Sequence, residues 1–133
     1  VYVYVRDHGL YKKGNLYSVG DTGWEIPDAL IMFQKWKGNC YNFTAAFWSL
    51  ARGIGFDAVC YSGLVGVGRD PHSWVEITFD GVPYVFDVET EMSYRLVNDY
   101  ITSMYEKTYE EVAAWSYVRT PEEAAATAPE TAG

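Results

Sequence analysis

The sequence predicts an α+β domain with a helix that begins at a cysteine and an antiparallel sheet built on a hairpin. Three observations predict it. Apolar residues recur at helical spacing after Cys40, where Phe43, Ala46, Phe47 and Leu50 form one stripe that Gly53 closes. Alternating runs flank Asp80-Gly81, a strong local hairpin signal, between Phe79 and Val82. A β-branched and aromatic stretch over residues 57–67 adds a third strand.

The elements follow in order. Residues 1–5 alternate Val and Tyr and fit a strand or a helix equally. Residues 12–23 are polar and Gly-rich, which predicts a loop. From Pro27, a plausible first helical position, Leu30, Phe33 and Trp36 recur at three-residue spacing, with Asp28 suited to the first turn. The Cys40 helix is predicted over 40–52. Beyond the hairpin, helices fit 93–106 and 109–118, the second opened by Thr108 and Glu111 at capping-box spacing. From Thr120 the chain becomes Pro/Glu/Ala/Thr-rich, so residues 1–119 are expected to form the domain and 120–133 a disordered linker or tail.

Composition narrows the function classes. The 133 residues are enough for one core and include twelve Tyr, six Phe and five Trp, so aromatic surface beyond the core is available for a peptide-like or sugar-like ligand. A net charge of −8 argues against nucleic acid, whose binding relies on Lys/Arg contacts to phosphates. No apolar run approaches the roughly 20 residues of a membrane span. Two cysteines are too few for a disulfide framework and wrongly spaced for zinc, so free thiols are expected. With two histidines and no HExxH, neither metal nor other cofactor is expected. The chain does not begin with Met and carries no signal-peptide pattern, so it reads as part of a longer multidomain chain. Its composition fits a bacterial secreted or surface protein, with a cytoplasmic location as the alternative.

The chemistry rests on three residues. Cys40 follows Gly38-Asn39 at a helix start, His72 stands in Pro71-His72-Ser73-Trp74-Val75-Glu76, and Asp87 in Val85-Phe86-Asp87-Val88. Nucleophile, base and orienting acid in that order suit thiol-based acyl transfer. Taken singly, each has a plainer reading: a lone Cys is usually a small buried hydrophobe. The hairpin decides between these readings. With Asp80-Gly81 as the loop, Ser73, Val75, Ile77, Phe79, Val82, Tyr84, Phe86 and Val88 form the core face. His72, Trp74, Glu76, Thr78, Pro83, Val85, Asp87 and Glu89 lie on the other. His72 is then opposite Glu89 and diagonal to Asp87, roughly 7–8 Å apart at the backbone and within reach of an imidazole–carboxylate hydrogen bond.

These blocks resemble the transglutaminase-like cysteine enzymes. The likeness spans about residues 24–90. It rests on Gly38-Asn39-Cys40, on Leu50-Ala51-Arg52-Gly53-Ile54-Gly55-Phe56, on His72-Ser73-Trp74-Val75-Glu76 and on Phe86-Asp87-Val88-Glu89-Thr90. It implies a papain-like core with Cys40 as nucleophile, His72 as general base and acid, and Asp87 orienting His72. It also implies Trp24, ahead of Pro27-Asp28-Ala29-Leu30, as an oxyanion donor beside the Cys40 backbone N–H. The segment before Cys40 is shorter than in the animal enzymes, and their calcium-site acidic loops are not seen. Nor are the paired zinc-binding cysteines of the family's peptide N-glycanase branch.

Other candidates carry less weight. Gln34 lies six residues before Cys40, where papain-type proteases hold an oxyanion glutamine, and is a second-choice donor that reads first as helix surface. Trp74 and Tyr41 are candidates to contact substrate, although Trp74 reads first as packing beside the site. Glu76 pairs with a base or lines a rim, His8 reads as surface, Cys60 as a buried strand residue, and Gly66-Val67-Gly68 as a mobile rim before His72. The expected function is acyl transfer or amide hydrolysis on a peptide or protein through a Cys thioester. The alternative is a non-catalytic peptide- or glycan-binding module that keeps the fold.

Overall fold

The helix that begins at Cys40 organises the molecule. In the computed structural model, which describes residues 1–127, α3 (Cys40–Gly53) opens with a capping box built from two asparagines. The Asn39 side chain accepts from the Tyr41 N–H at 3.1 Å, and the Asn42 side chain accepts from the Asn39 N–H at 3.0 Å. First-turn N–H groups that no helical carbonyl can reach are thereby satisfied. Gly38 just before is required by packing, because a Cβ there would collide with Asn42. The predicted stripe is buried: Phe43, Ala46 and Phe47 pack with Val75, Ile77 and Phe86 of the sheet.

That sheet is antiparallel and four-stranded, in the order β3 (Ala58–Val65), β4 (Asp70–Phe79), β5 (Val82–Phe86), β6 (Lys107–Thr108). The predicted register holds, with Phe79 opposite Val82 and Val75 opposite Phe86. Asp80 and Gly81 both take positive φ (50° and 79°), the two-residue turn whose twist matches the flanking strands. The ladder stops at Val75–Phe86, three pairs short of the expected His72–Glu89. Asp87 is not on a strand; it is the N-cap of α4 (Val88–Leu96), its side chain accepting from the Thr90 N–H at 3.3 Å. His72 therefore has no β5 partner and pairs only with Gly63 of β3, which corrects the pairing expected with Glu89.

Tertiary pairing overrode local signals further on. α4 starts at Val88 rather than residue 93 because Asp87 caps it and Glu91 is buried in its first turn. Glu91 receives the Arg6 guanidinium at 2.7 Å, the Tyr2 hydroxyl at 3.1 Å and the Met104 N–H at 2.7 Å. The helix predicted over 109–118 does not form. Its capping bonds do, between Thr108 and Glu111 at 3.0 and 3.1 Å, but only a 3-10 turn (Ala113–Trp115) follows. β6 is held at the β5 edge and Val118 bridges Leu64 of β3, so the segment between crosses the sheet. It brings Val112, with Met104 from the preceding loop, over Trp74 and Val85, closing a second core on the face that the hairpin pattern left polar.

The remaining elements frame these two cores. α1 (Tyr2–His8) resolves the ambiguous opening as a helix with Tyr2 and Val5 buried. β1 (Leu10–Tyr11) pairs in parallel with β2 (Lys37–Gly38). α2 (Glu25–Lys35) packs on α3 through Asp28, Ala29 and Met32. The expected Leu30/Phe33/Trp36 face is corrected: Leu30 is exposed and Trp36 turns left-handed (φ 52°) as the C-cap. α5 (Pro121–Ala126) stands where composition predicted disorder. Thr120 caps it, Pro121 fits its first position, and Arg69 donates to the Ala124 carbonyl at 2.7 Å. The rest of the predicted tail, residues 128–133, lies outside the described residues. Among the described residues no helix is long and apolar enough to cross a membrane.

Candidate active site

Three elements meet at the Cys40 thiol. Cys40 is the first residue of α3, at the end of the helix where the dipole favours negative charge. His72 lies on β4 beyond the last β4–β5 pair, where β5 gives way to α4. Asp87 occupies that junction. The His72 Nε2 is 2.7 Å from Asp87 Oδ2 and 3.2 Å from the Thr90 hydroxyl, and Cys40 is among the groups that raise the pKa of the ring. Nε2 is engaged by Asp87, which leaves Nδ1 as the nitrogen available to take the thiol proton.

Electrostatics follow from this packing. Burial opposes charge on His72, but the charge and hydrogen bond of Asp87, with Cys40 adding to them, outweigh it and hold its pKa well above the ordinary histidine value. Burial works to raise the Asp87 carboxyl, yet His72, then Tyr117 and Thr90, bring it below the usual carboxylate range. Asp87 is fully buried and its Oδ2 accepts from His72, from the Tyr117 hydroxyl and from the Thr90 hydroxyl at 2.9 Å. Such a saturated carboxylate is fixed in place and keeps its charge. Cys60 offers a contrast. It is a free thiol on β3 whose pKa burial pushes well up, with Glu25 adding to the rise.

The other predicted site residues sit elsewhere. Trp24 packs in one cluster with Cys40 and Tyr41, but its indole N–H donates to the Asp21 carbonyl at 3.0 Å, so in this arrangement it is already engaged. Gln34 is exposed on α2, the helix-surface reading weighed for it. Trp74 and Tyr41 are fully buried: Trp74 donates to the Tyr109 hydroxyl at 2.9 Å and Tyr41 to the Tyr17 carbonyl at 3.2 Å. Both are core side chains rather than substrate contacts. Glu76 pairs with Arg119 at 3.4 Å.

Four residues escaped sequence reasoning. Thr90 and Tyr117 brace Asp87, and Glu89 stands half-buried beside the pair, where burial raises its carboxyl. Tyr11, half-exposed on β1, has its pKa raised by burial and then by the charges of Glu89 and Cys40. Thr90 had a signal, the Asp-x-x-Thr spacing of a helix cap. Tyr11 and Tyr117 arrive from distant segments and had none. His72, Asp87 and Glu89 offer donor atoms within 4.8 Å of one another. A cation bound there would have to displace the His72–Asp87 hydrogen bond, so this geometry favours the dyad.

Comparison with known proteins agrees with the fold. The family profile described as the transglutaminase-like superfamily matches residues 1–87, well over half of the chain. The chain belongs to the transglutaminase-like superfamily. Its core is accordingly papain-like, with the cysteine helix packed on an antiparallel sheet. Membership supports a thiol-dependent enzyme at the level of the family. A solved structure named "putative cysteine protease" from Cytophaga hutchinsonii shares this fold at a TM-score of 0.56 and 16% identity, covering 96% of the chain. The chain spans 36% of that protein's length. A structure named a TGase aligns at a TM-score of 0.46 and 16% identity, over 76% of this chain and 25% of its own. No curated protein matches the chain.

Proposed function

We propose that this transglutaminase-like chain performs acyl transfer or amide hydrolysis on peptide or protein substrates through a thioester on Cys40. The observation that carries the reading is His72, one buried imidazole bonded to Asp87 and raised in pKa by Asp87 and then by Cys40 at the start of α3. His72 Nδ1 takes the thiol proton, and Sγ attacks the substrate carbonyl. The Cys40 N–H, a first-turn donor with no helical acceptor, stabilises the oxyanion, a contribution commonly about 3 kcal/mol. The imidazolium returns its proton to the leaving amine as the C–N bond breaks, leaving the thioester. Water then gives the acid, whereas a second amine gives a new amide. Asp87 holds the tautomer and the imidazolium throughout. In this reading residues 1–119 are the catalytic unit of a longer chain that works at the cell surface or outside it.

Iodoacetamide labelling across a pH series, with the modified residue mapped, tests the proposal. Selective modification of Cys40 near neutrality is expected, with Cys60 lagging. Equal labelling of both thiols would overturn it. Conversion of Cys40 to Ala then separates the enzyme from a binding module, because a module would keep its biological activity.

A further inference from the structure

Four of the five lysines of this chain, Lys12, Lys13, Lys35 and Lys37, surround one pocket beside the start of α3. The pocket holds about 170 Å³, room for one side chain, and Asn39, the residue before Cys40, lines it. This concentration stands out in a protein of net charge −8. Among the described residues none of the four ammonium groups has a carboxylate within 4.0 Å, whereas Arg6, Arg52 and Arg119 are all paired. The one acid in the wall, Asp28, does not neutralise them. It accepts the Tyr17 hydroxyl at 2.9 Å, and burial raises its pKa, which disfavours its charge. β1 and β2 hold the lysines in place: Lys12 N–H donates to the Gly38 carbonyl at 2.8 Å, and Tyr11 pairs with Gly38.

We infer that this pocket is a substrate subsite that takes an acidic side chain, so the preferred peptide carries Glu or Asp close to the amide that Cys40 attacks. The inference rests on the thiol chemistry proposed above and names its substrate class. Asn39, in the wall, is the chain neighbour of the nucleophile, one Cα step of roughly 3.8 Å, which brings the pocket within the span of a peptide seated on the thiol. Elsewhere the acidic surface repels an anion; here unpaired lysines and the positive end of α3 attract one. A pocket of one-side-chain size suits a carboxylate and not a polyphosphate track.

The test uses the Cys40→Ala protein and two fluorescein-labelled glutamine peptides, identical except that one carries Glu at the flanking positions where the other carries Gln. Fluorescence anisotropy at low salt is expected to show the acidic peptide bound about tenfold tighter, with the preference shrinking as salt screens it. Changing Lys12, Lys13, Lys35 and Lys37 together to Gln is expected to erase the preference while circular dichroism stays native. Should that variant misfold, the exposed single change Lys35→Glu is expected to halve the preference or more. Equal binding of both peptides, or a preference unmoved by these changes, would overturn the inference. Displacement of the acidic peptide by millimolar inorganic phosphate but not by free glutamate would also overturn it, in favour of a phosphate pocket. A retained preference together with unselective thiol labelling would sink the acyl-transfer reading and leave the subsite standing.

Discussion

The two faces of β4 do different jobs with the same alternation. Toward α3, Val75 and Ile77 meet Phe43, Ala46 and Phe47, and among the contacts described Ser73 adds one side-chain hydrogen bond, to Thr44 at 3.1 Å. On the other side, His72, Trp74 and Glu76 are each bonded to a partner: Asp87, Tyr109 and Arg119. The first face is held by area removed from water, which tolerates exchange of one hydrocarbon for another. The second is held by directional polar contacts in a dry environment, where losing one partner strands the other. Both faces thus bury apolar side chains, but the proposed chemistry lies on the second alone.

Substitutions break that contrast in a graded way. The largest effect is expected at the nucleophile: Cys40→Ala lowers peptide turnover by about 10⁵-fold or more, while the thermal midpoint barely moves. Next comes Asp87→Asn, which keeps the shape but removes the charge and favours the wrong tautomer. A fall in kcat of about 10³- to 10⁴-fold is expected, and a decrease under tenfold would remove Asp87 from the mechanism. On the apolar face Phe43→Ala is expected to cost about 3–5 kcal/mol in urea unfolding, with kcat per folded molecule unchanged. A matching loss of kcat would show that the faces are not separable. Tyr117→Phe deletes one hydrogen bond to Asp87, expected to cost about 1–2 kcal/mol and to lower kcat several-fold without moving KM.

The smallest effect is that of pH. Asp87 is held below its ordinary value of 3.8, so its contribution is complete above that pH and fades as pH falls through the folded-state value. His72 is held above 6.5, so its contribution is complete below that pH and fades as pH rises through the folded-state value. The pair therefore supports folding most between pH 3.8 and 6.5. Unfolding curves for the His72→Gln variant are expected to lose that extra stability within this window. Parallel curves for the two proteins across it would contradict the assignment.

The apolar face was legible because its determinants are local. A stripe after Cys40 and an Asp-Gly turn fix α3 and the hairpin register within a few residues of chain. Cys40 and His72 were nameable for the same reason, since a helix start and a strand position are short-range facts, whereas Asp87 was named from a pleat parity that ends before it and in fact caps α4. The other face was not legible, because its partners come from far along the chain. Tyr109, Tyr117 and Arg119 arrive on a segment whose capping-box spacing pointed to a helix, and pairing at both sheet edges overruled that preference. Trp74 takes the packing reading weighed for it, and Tyr41, offered as a substrate contact, is buried too, because nothing local says which aromatic rings the fold will cover. α2 was assigned the wrong face because small Ala29, not large Leu30, lets two helices approach.

Asp87 answers to two masters, the imidazole through Oδ2 and the first turn of α4 through Oδ1. Fraying of that helix and misaiming of the base become a single event, so the site reports on the integrity of its own scaffold. A Glu in this position keeps the charge but shifts the carboxylate by one methylene, and one carboxylate then cannot serve both clients in the same geometry. Mutational tolerance here is consequently far narrower than conservative chemistry would suggest.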